Sequence, residues 1–231
     1  MAQQLERQHS DQLATDTPLA KAFLGGHGGA LRAAYAILCL KKYTGLKWSD
    51  GSPMDLYGAD QDEANFTRWL TSDKKKFPNL KVLSINNASR AEIKSHMENL
   101  VTVNPGVVFL YIQGHGLPGV YITGDGPGPE SGLESTELIE LFSNFNNDTL
   151  CIVITDLCHS GNFLRLRYRL EIDADEKHAN WVGLEGRNQG LGDNPSQHFP
   201  PMLHFSGSTD GEIVYETKNL GGYFTNASYF L

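Results

Sequence analysis

Two apolar runs in the middle of the chain stop abruptly at polar, glycine-flanked residues. One runs Val107-Val108-Phe109-Leu110-Tyr111-Ile112 and ends in Gln113-Gly114-His115-Gly116. The other runs Cys151-Ile152-Val153-Ile154 and ends in Thr155-Asp156-Leu157-Cys158-His159-Ser160-Gly161. Continuous apolar runs of this length, without alternation, mark strands buried on both faces of a parallel sheet. Ala30–Leu40, Leu80–Ile85 and Pro201–Phe205 predict further strands, and Val120–Ile122 a small hairpin strand. Helical spacing covers Ala59–Thr71, with Phe66, Trp69 and Leu70 on one side, and Glu134–Phe145. Ser89–Val101 is a marked helix: Ser89 caps it, Glu92 completes a capping box, and Ile93, Met97 and Leu100 form its buried stripe. Strands alternating with helices predict a three-layer α/β domain with crossover connections.

Residues 1–29 are polar, end in Gly25-Gly26-His27-Gly28-Gly29, and predict a flexible arm before a domain spanning 30–231. Residues 162–200 lack strong periodicity and carry Arg165, Arg167, Arg169, Lys177 and Arg187. A structureless connection this long is uncommon and usually functional; the alternative is a charged, solvated loop. Gly124-Asp125-Gly126-Pro127-Gly128-Pro129 lacks the Lys-Ser/Thr of a phosphate-binding loop and predicts a surface turn.

Composition narrows the field. The 231 residues are 40% hydrophobic and 20% charged, as in an ordinary globular domain. A net charge of -8 with no long basic run argues against nucleic acid and membrane surfaces as partners and favours basic peptides. Met1–Ser10 is polar, and no stretch approaches the ~20 apolar residues of a membrane span. Three cysteines without Cys-x-x-Cys spacing fit free thiols in a reducing compartment. The expectation is a cytoplasmic protein, with the nucleus as the alternative. On that footing the four Asn-x-Ser/Thr sequons, at Asn65, Asn87, Asn147 and Asn226, are chance matches.

Where buried parallel strands end, α/β sheets place their chemistry. One strand delivers His115 and another Cys158 to the same sheet edge, the parts of a thiol nucleophile and its base. A free thiol is mostly protonated at neutral pH and needs such a base. His159 is a rival base, but neighbouring side chains on a strand end diverge. Ser160 is a rival nucleophile; with His27-Gly28-Gly29 it faintly suggests an esterase, although no Gly-x-Ser-x-Gly accompanies it.

The segments Gln113-Gly114-His115-Gly116 and Asp156-Leu157-Cys158-His159-Ser160-Gly161 resemble the two signatures of the caspase-like cysteine peptidases, specifically the metacaspases. Gly58-Ala59-Asp60-Gln61-Asp62-Glu63-Ala64, Ser206-Gly207-Ser208-Thr209-Asp210 and Gly221-Gly222-Tyr223-Phe224-Thr225 resemble further family segments, so the similarity spans about residues 31–231. The resemblance implies a caspase-like fold: a mostly parallel central sheet of about six strands, with helices on both faces. It divides the domain into a large-subunit-like region to about 161, a linker 162–200 that is often cut, and a small-subunit-like region 201–231 whose last helix is cut short. It implies a monomeric endopeptidase acting on protein or peptide substrates, with Cys158 as nucleophile, His115 as acid and base, and the N–H groups of Gly116 and Cys158 as oxyanion hole. Asp62 and Asp156 match an acidic pocket for Arg or Lys, since two carboxylates suit a guanidinium; caspases that cut after Asp carry Gln in place of Asp156. The alternative for Asp62 is a charge on the first turn of its helix. Gln113 replaces the family's usual Ser beside that pocket. Many metacaspases bind calcium through an aspartate seven residues after the nucleophile; that position is Arg165 here, so no cofactor is expected. These departures leave a non-catalytic caspase-like scaffold as the rival reading.

Overall fold

The computed structural model describes residues 32–72, 77, 79–172, 178–183 and 199–228. The arm 1–29, and Lys177 and Arg187 of the linker, lie outside the described residues. Strand β1 (Ala34–Leu40) leads to helix α1 (Ala59–Ser72), β2 (Lys81–Asn86), α2 (Arg90–Val103) and β3 (Val107–Gln113). Three short strands follow, β4 (Gly116–Leu117), β5 (Val120–Tyr121) and β6 (Leu133–Glu134), then α3 (Ser135–Ser143) and β7 (Leu150–Asp156). Next come β8 (Tyr168–Ile172), β9 (Ala179–Gly183), β10 (Met202–Ser206), β11 (Glu216–Thr217), β12 (Gly221–Gly222) and α4 (Tyr223–Ser228).

The central sheet has the order β10-β7-β3-β1-β2 with every neighbouring pair parallel. Among the described residues it has five strands rather than about six, and β4, β5 and β6 form a small antiparallel sheet of their own. All seven residues of β3 are buried, which is why it reads as an uninterrupted apolar run. Alternate residues serve opposite faces. Ile37, Val108, Leu110, Ile112 and Val153 pack with Ile93 and Met97 of α2 and Leu138 and Phe142 of α3. Leu38, Leu40, Phe109, Tyr111 and Ile152 pack with Phe66 and Leu70 of α1. Each such fully buried side chain contributes roughly 1.5–3 kcal/mol of transfer free energy. Helices thus cover both faces, as the strand–helix alternation predicts. The capping box at the start of α2 is present, with Ser89 and Glu92 satisfying each other's amides.

The linker is not structureless: Tyr168–Ile172 and Ala179–Gly183 pair as an antiparallel hairpin. Tyr168, Leu170 and Trp181 stand in the open, Tyr168 at 57% and Trp181 at 65% exposure, so no buried face imposes a legible alternation. Between this hairpin and β10 lies a cleft of about 1540 Å³, lined by Arg165, Arg167, Trp181 and Phe205 among others. Neither His115 nor Cys158 lines it. No helix among the described residues is long and apolar enough to cross a membrane.

Candidate active site

β2 and β3 lie on opposite sides of β1, so the sheet reverses its strand order there; the ends of β3 and its neighbour β7 carry the candidate chemistry. The register of β3 with β7 pairs Gln113 with Asp156. His115 and Cys158 each follow that pair by two residues, so they leave neighbouring strands side by side. Gly116 completes the approach: a Cβ there would run into the carbonyl oxygen of Cys158 and the Leu157 side chain, so only glycine fits. Of the three cysteines, Cys39 and Cys151 are buried with thiols pushed up to about 12, and Cys158 alone is partly exposed.

A loop between β1 and α1 holds the histidine. His115 Nε2 lies 2.7 Å from the carbonyl oxygen of Met54. A carbonyl only accepts, so Nε2 carries the proton and Nδ1 keeps its lone pair for another group. The His115 N–H donates to Tyr43 Oη at 3.0 Å, and that hydroxyl donates to the Ile122 carbonyl at 2.5 Å. The rings of Tyr43 and Trp48 stand 4.6 and 5.0 Å from the imidazole. Burial pulls the His115 pKa below its ordinary value, opposed by the Met54 carbonyl and the charge of Glu216. The ring is therefore neutral at pH 7, the form a general base requires.

The turn after Cys158 is braced by Ser208 and Glu212, in the segment that follows β10. His159 has φ +58, a left-handed conformation unusual for a side chain with a Cβ, and its N–H donates to the Glu212 carbonyl. Ser160 is wholly buried; its N–H donates to Ser208 Oγ, its own Oγ accepts the Ser208 N–H, and Ser208 Oγ donates to the Leu157 carbonyl. Ser160 is thus a structural tie rather than an exposed hydroxyl.

The two predicted pocket carboxylates meet under the β11–β12 hairpin. Asp62 sits in the first turn of α1, yet its Oδ1 accepts the N–H of Gly222 at 2.9 Å rather than capping its own helix. Asp156 Oδ2 accepts the N–H and hydroxyl of Thr225 at 3.1 and 2.6 Å. Tyr111 Oη, 2.7 Å from Thr225 Oγ1, donates in turn to that hydroxyl. A Cβ on Gly221 would strike Asp62, and one on Gly222 would strike Asp156, so the hairpin backbone lies directly on both carboxylates. Asp62 Oδ2 and Asp156 Oδ1 have no hydrogen-bond partner, although their residues are 0% and 3% exposed. Burial drives the Asp62 pKa up to about 7, helped by the charges of Asp156 and Glu216, and raises Asp156 as well. Gln113 is beside Asp156 in the sheet, but its Oε1 accepts the Lys41 N–H at 3.0 Å and so ties β3 to the end of β1.

Calcium does not fit the position the resemblance would give it: the Arg165 guanidinium offers no oxygen ligand. Met54, Tyr43 and Glu216 were not legible as site residues. A backbone carbonyl leaves no side-chain signature, and Tyr57–Glu216 is a contact across 159 residues.

The comparisons agree with this architecture. The caspase domain family matches residues 32–228. The fold is similar to that of caspase-1 from Spodoptera frugiperda, with TM-score 0.57 and 13% identity over 86% of this chain and 69% of that one. It is also similar to a protein of Geobacter sulfurreducens, with TM-score 0.53 and 16% identity over 84% of this chain and 79% of that one. No curated protein matches the chain by sequence. Matched over most of its length and similar in fold to a caspase, the chain belongs to the caspase domain family, a family of cysteine peptidases.

Proposed function

We propose that this is a cysteine endopeptidase of the metacaspase type, hydrolysing peptide bonds after Arg or Lys through His115 and Cys158. The observation that carries the reading is the register of β3 with β7, which sends His115 and the one partly exposed thiol out of adjacent strand ends with backbone contact at Gly116. His115 Nδ1 takes the thiol proton, and the thiolate attacks the scissile carbonyl. The N–H groups of Gly116 and Cys158 receive the developing oxyanion, an effect of ~3–4 kcal/mol per donor in other enzymes. His115 then passes its proton to the leaving amine, and water, deprotonated by the same ring, hydrolyses the thioester.

Specificity for a basic side chain rests on Asp62 and Asp156, each with one buried oxygen awaiting a donor. A guanidinium would supply two parallel donors in the geometry carboxylates prefer. The β11–β12 hairpin must part for that side chain to arrive, since both carboxylates lie sealed beneath it. Gln113 stands beside Asp156 in the register, with its side chain held by the Lys41 N–H. The same specificity supports self-cutting in the 162–200 linker, where Arg167 is exposed just before β8. The reading needs no calcium and no other cofactor, and it places a monomer acting on basic protein or peptide substrates, with no nucleic acid or membrane partner, in the cytoplasm or nucleus.

Fluorogenic peptides ending in Arg, Lys, Asp or Asn, with and without calcium, test it beside Cys158→Ala. Cleavage after Arg or Lys that the substitution abolishes supports the enzyme and its pocket; cleavage after Asp alone would overturn the pocket. The sealed carboxylates favour one rival, a non-catalytic scaffold. A folded protein that cleaves no peptide would select it.

A further inference from the structure

Glu216, at the start of β11, joins parts of the site that are far apart in sequence. Its Oε1 accepts the Tyr57 N–H at 2.6 Å and its Oε2 the Gly58 N–H at 3.2 Å. A Cβ on Gly58 would lie 2.7 Å from Glu216 Oε2 and 2.9 Å from Gly221 Cα, so the two backbones approach without side chains between them. Tyr57 and Gly58 end the loop whose Met54 carbonyl meets His115 Nε2. Gly58 is also the residue before α1, whose first turn carries Asp62. The register partner of Glu216 is Gly222, whose N–H donates to Asp62 Oδ1. The links therefore form one continuous path: His115 to Met54, along the chain to Tyr57 and Gly58, across to Glu216, over the hairpin to Gly222, and down to Asp62.

We propose that Glu216 is a positioning residue that clamps the Met54–Gly58 segment to the β11–β12 hairpin and so sets the support of His115 and the seat of Asp62 together. The proposal rests on the peptidase reading above and adds to it a residue that touches neither nucleophile nor base. A carboxylate suits the task because both of its oxygens accept, and charged acceptors bind amides more strongly than neutral ones. The position before an α-helix adds a favourable interaction with the helix N-terminus. The negative charge also acts at both ends of that path, holding up the pKa of His115 and of Asp62. His115 is otherwise faced by the Tyr43 and Trp48 rings and the Met54 carbonyl, and Asp62 by Asp156.

Glu216→Gln keeps the length and one accepting oxygen, whereas Glu216→Ala removes both. Steady-state kinetics on an Arg-ending peptide should show kcat/KM down about tenfold in Glu216→Gln, with kcat and KM both moved and the melting temperature changed by only a few degrees. A second pair of measurements does not depend on turnover. In a Cys158→Ala background, Glu216→Gln should speed hydrogen exchange at the Tyr57 and Gly58 amides and lower the pKa of His115 followed by NMR. Wild-type kinetics in Glu216→Gln, or an unmoved His115 titration with unchanged amide exchange, would overturn the proposal. An inactive parent protein would sink the peptidase reading instead, and the exchange and NMR results would still decide the role of Glu216. If Glu216→Ala does not fold, Glu216→Gln alone decides.

Discussion

His115 and Met54 stand 61 residues apart in sequence and 2.7 Å apart in space, ring nitrogen to carbonyl oxygen. That single bond selects the tautomer: with Nε2–H committed to the carbonyl, Nδ1 is the basic atom. The half-buried, neutral imidazole is then ready to take a proton without first losing one. Substituting His115 by Ala should lower kcat/KM on an Arg-ending peptide by about 10²–10⁴-fold, the range of general acid–base catalysis, with the melting temperature nearly unchanged. A full rate in that variant, read against Cys158→Ala as the background, would remove His115 from the mechanism.

Asp62 should make stability depend on pH in an unusual direction. Its folded pKa of about 7 exceeds the ordinary 3.8, so between these values the folded protein binds more protons than the unfolded chain. Its contribution is present below about pH 4 and is lost as pH rises through 7, amounting to roughly 2–4 kcal/mol. Burial depresses His115, which gives the opposite slope near pH 6, so the comparison must be by difference. Relative to wild type, Asp62→Asn should gain stability steadily from pH 4 to 8 in thermal unfolding. A constant difference across that range would contradict the buried, protonated carboxyl.

Binding of a basic side chain should reverse that protonation. A guanidinium beside Asp62 and Asp156 favours their ionised forms, so binding below about pH 7 must release protons. Calorimetry of an Arg-ending peptide on Cys158→Ala, in buffers of different ionisation enthalpy, should register the release. Affinity should tighten as pH rises from 6 to 8. Proton-neutral binding of the peptide would place the basic side chain somewhere else.

Gly222 has no room for a side chain, because a Cβ would strike Asp156 while the Gly222 N–H serves Asp62. Gly222→Ala should force the hairpin off the carboxylates and cost about 1–3 kcal/mol. Chemical denaturation gives the cost directly, and unchanged stability would mean that the hairpin sits more loosely than this packing implies.

Ser160→Ala separates the two candidate nucleophiles. The buried Ser160–Ser208 pair holds the turn after Cys158, so its loss should lower stability by about 1–2 kcal/mol and leave peptide cleavage within a few-fold of wild type. Loss of cleavage in Ser160→Ala with retention in Cys158→Ala would revive the serine reading.

The strands and helices that build the sheet were legible because each obeys a local rule. β3 and β7 are buried on both faces and so run apolar without alternation; Ser89 and Glu92 announce α2 because a capping box is satisfied within four residues. His115 and Cys158 were legible for the same reason: each is the polar, glycine-flanked stop of a buried strand. Tertiary structure decided what lies across long separations or is made of backbone. The Met54 carbonyl, the Glu216 clamp and the Gly222 amide on Asp62 have no local pattern, because their partners lie 61, 159 and 160 residues away. The β8–β9 hairpin was equally hidden, since strands exposed to solvent are under no pressure to alternate. The sequence placed the candidate nucleophile, the candidate base and the two acidic residues on their elements. Only the folded chain decided that one glycine pair would cover both carboxylates and one loop would aim the histidine, because those choices are contacts between elements rather than properties of any one of them.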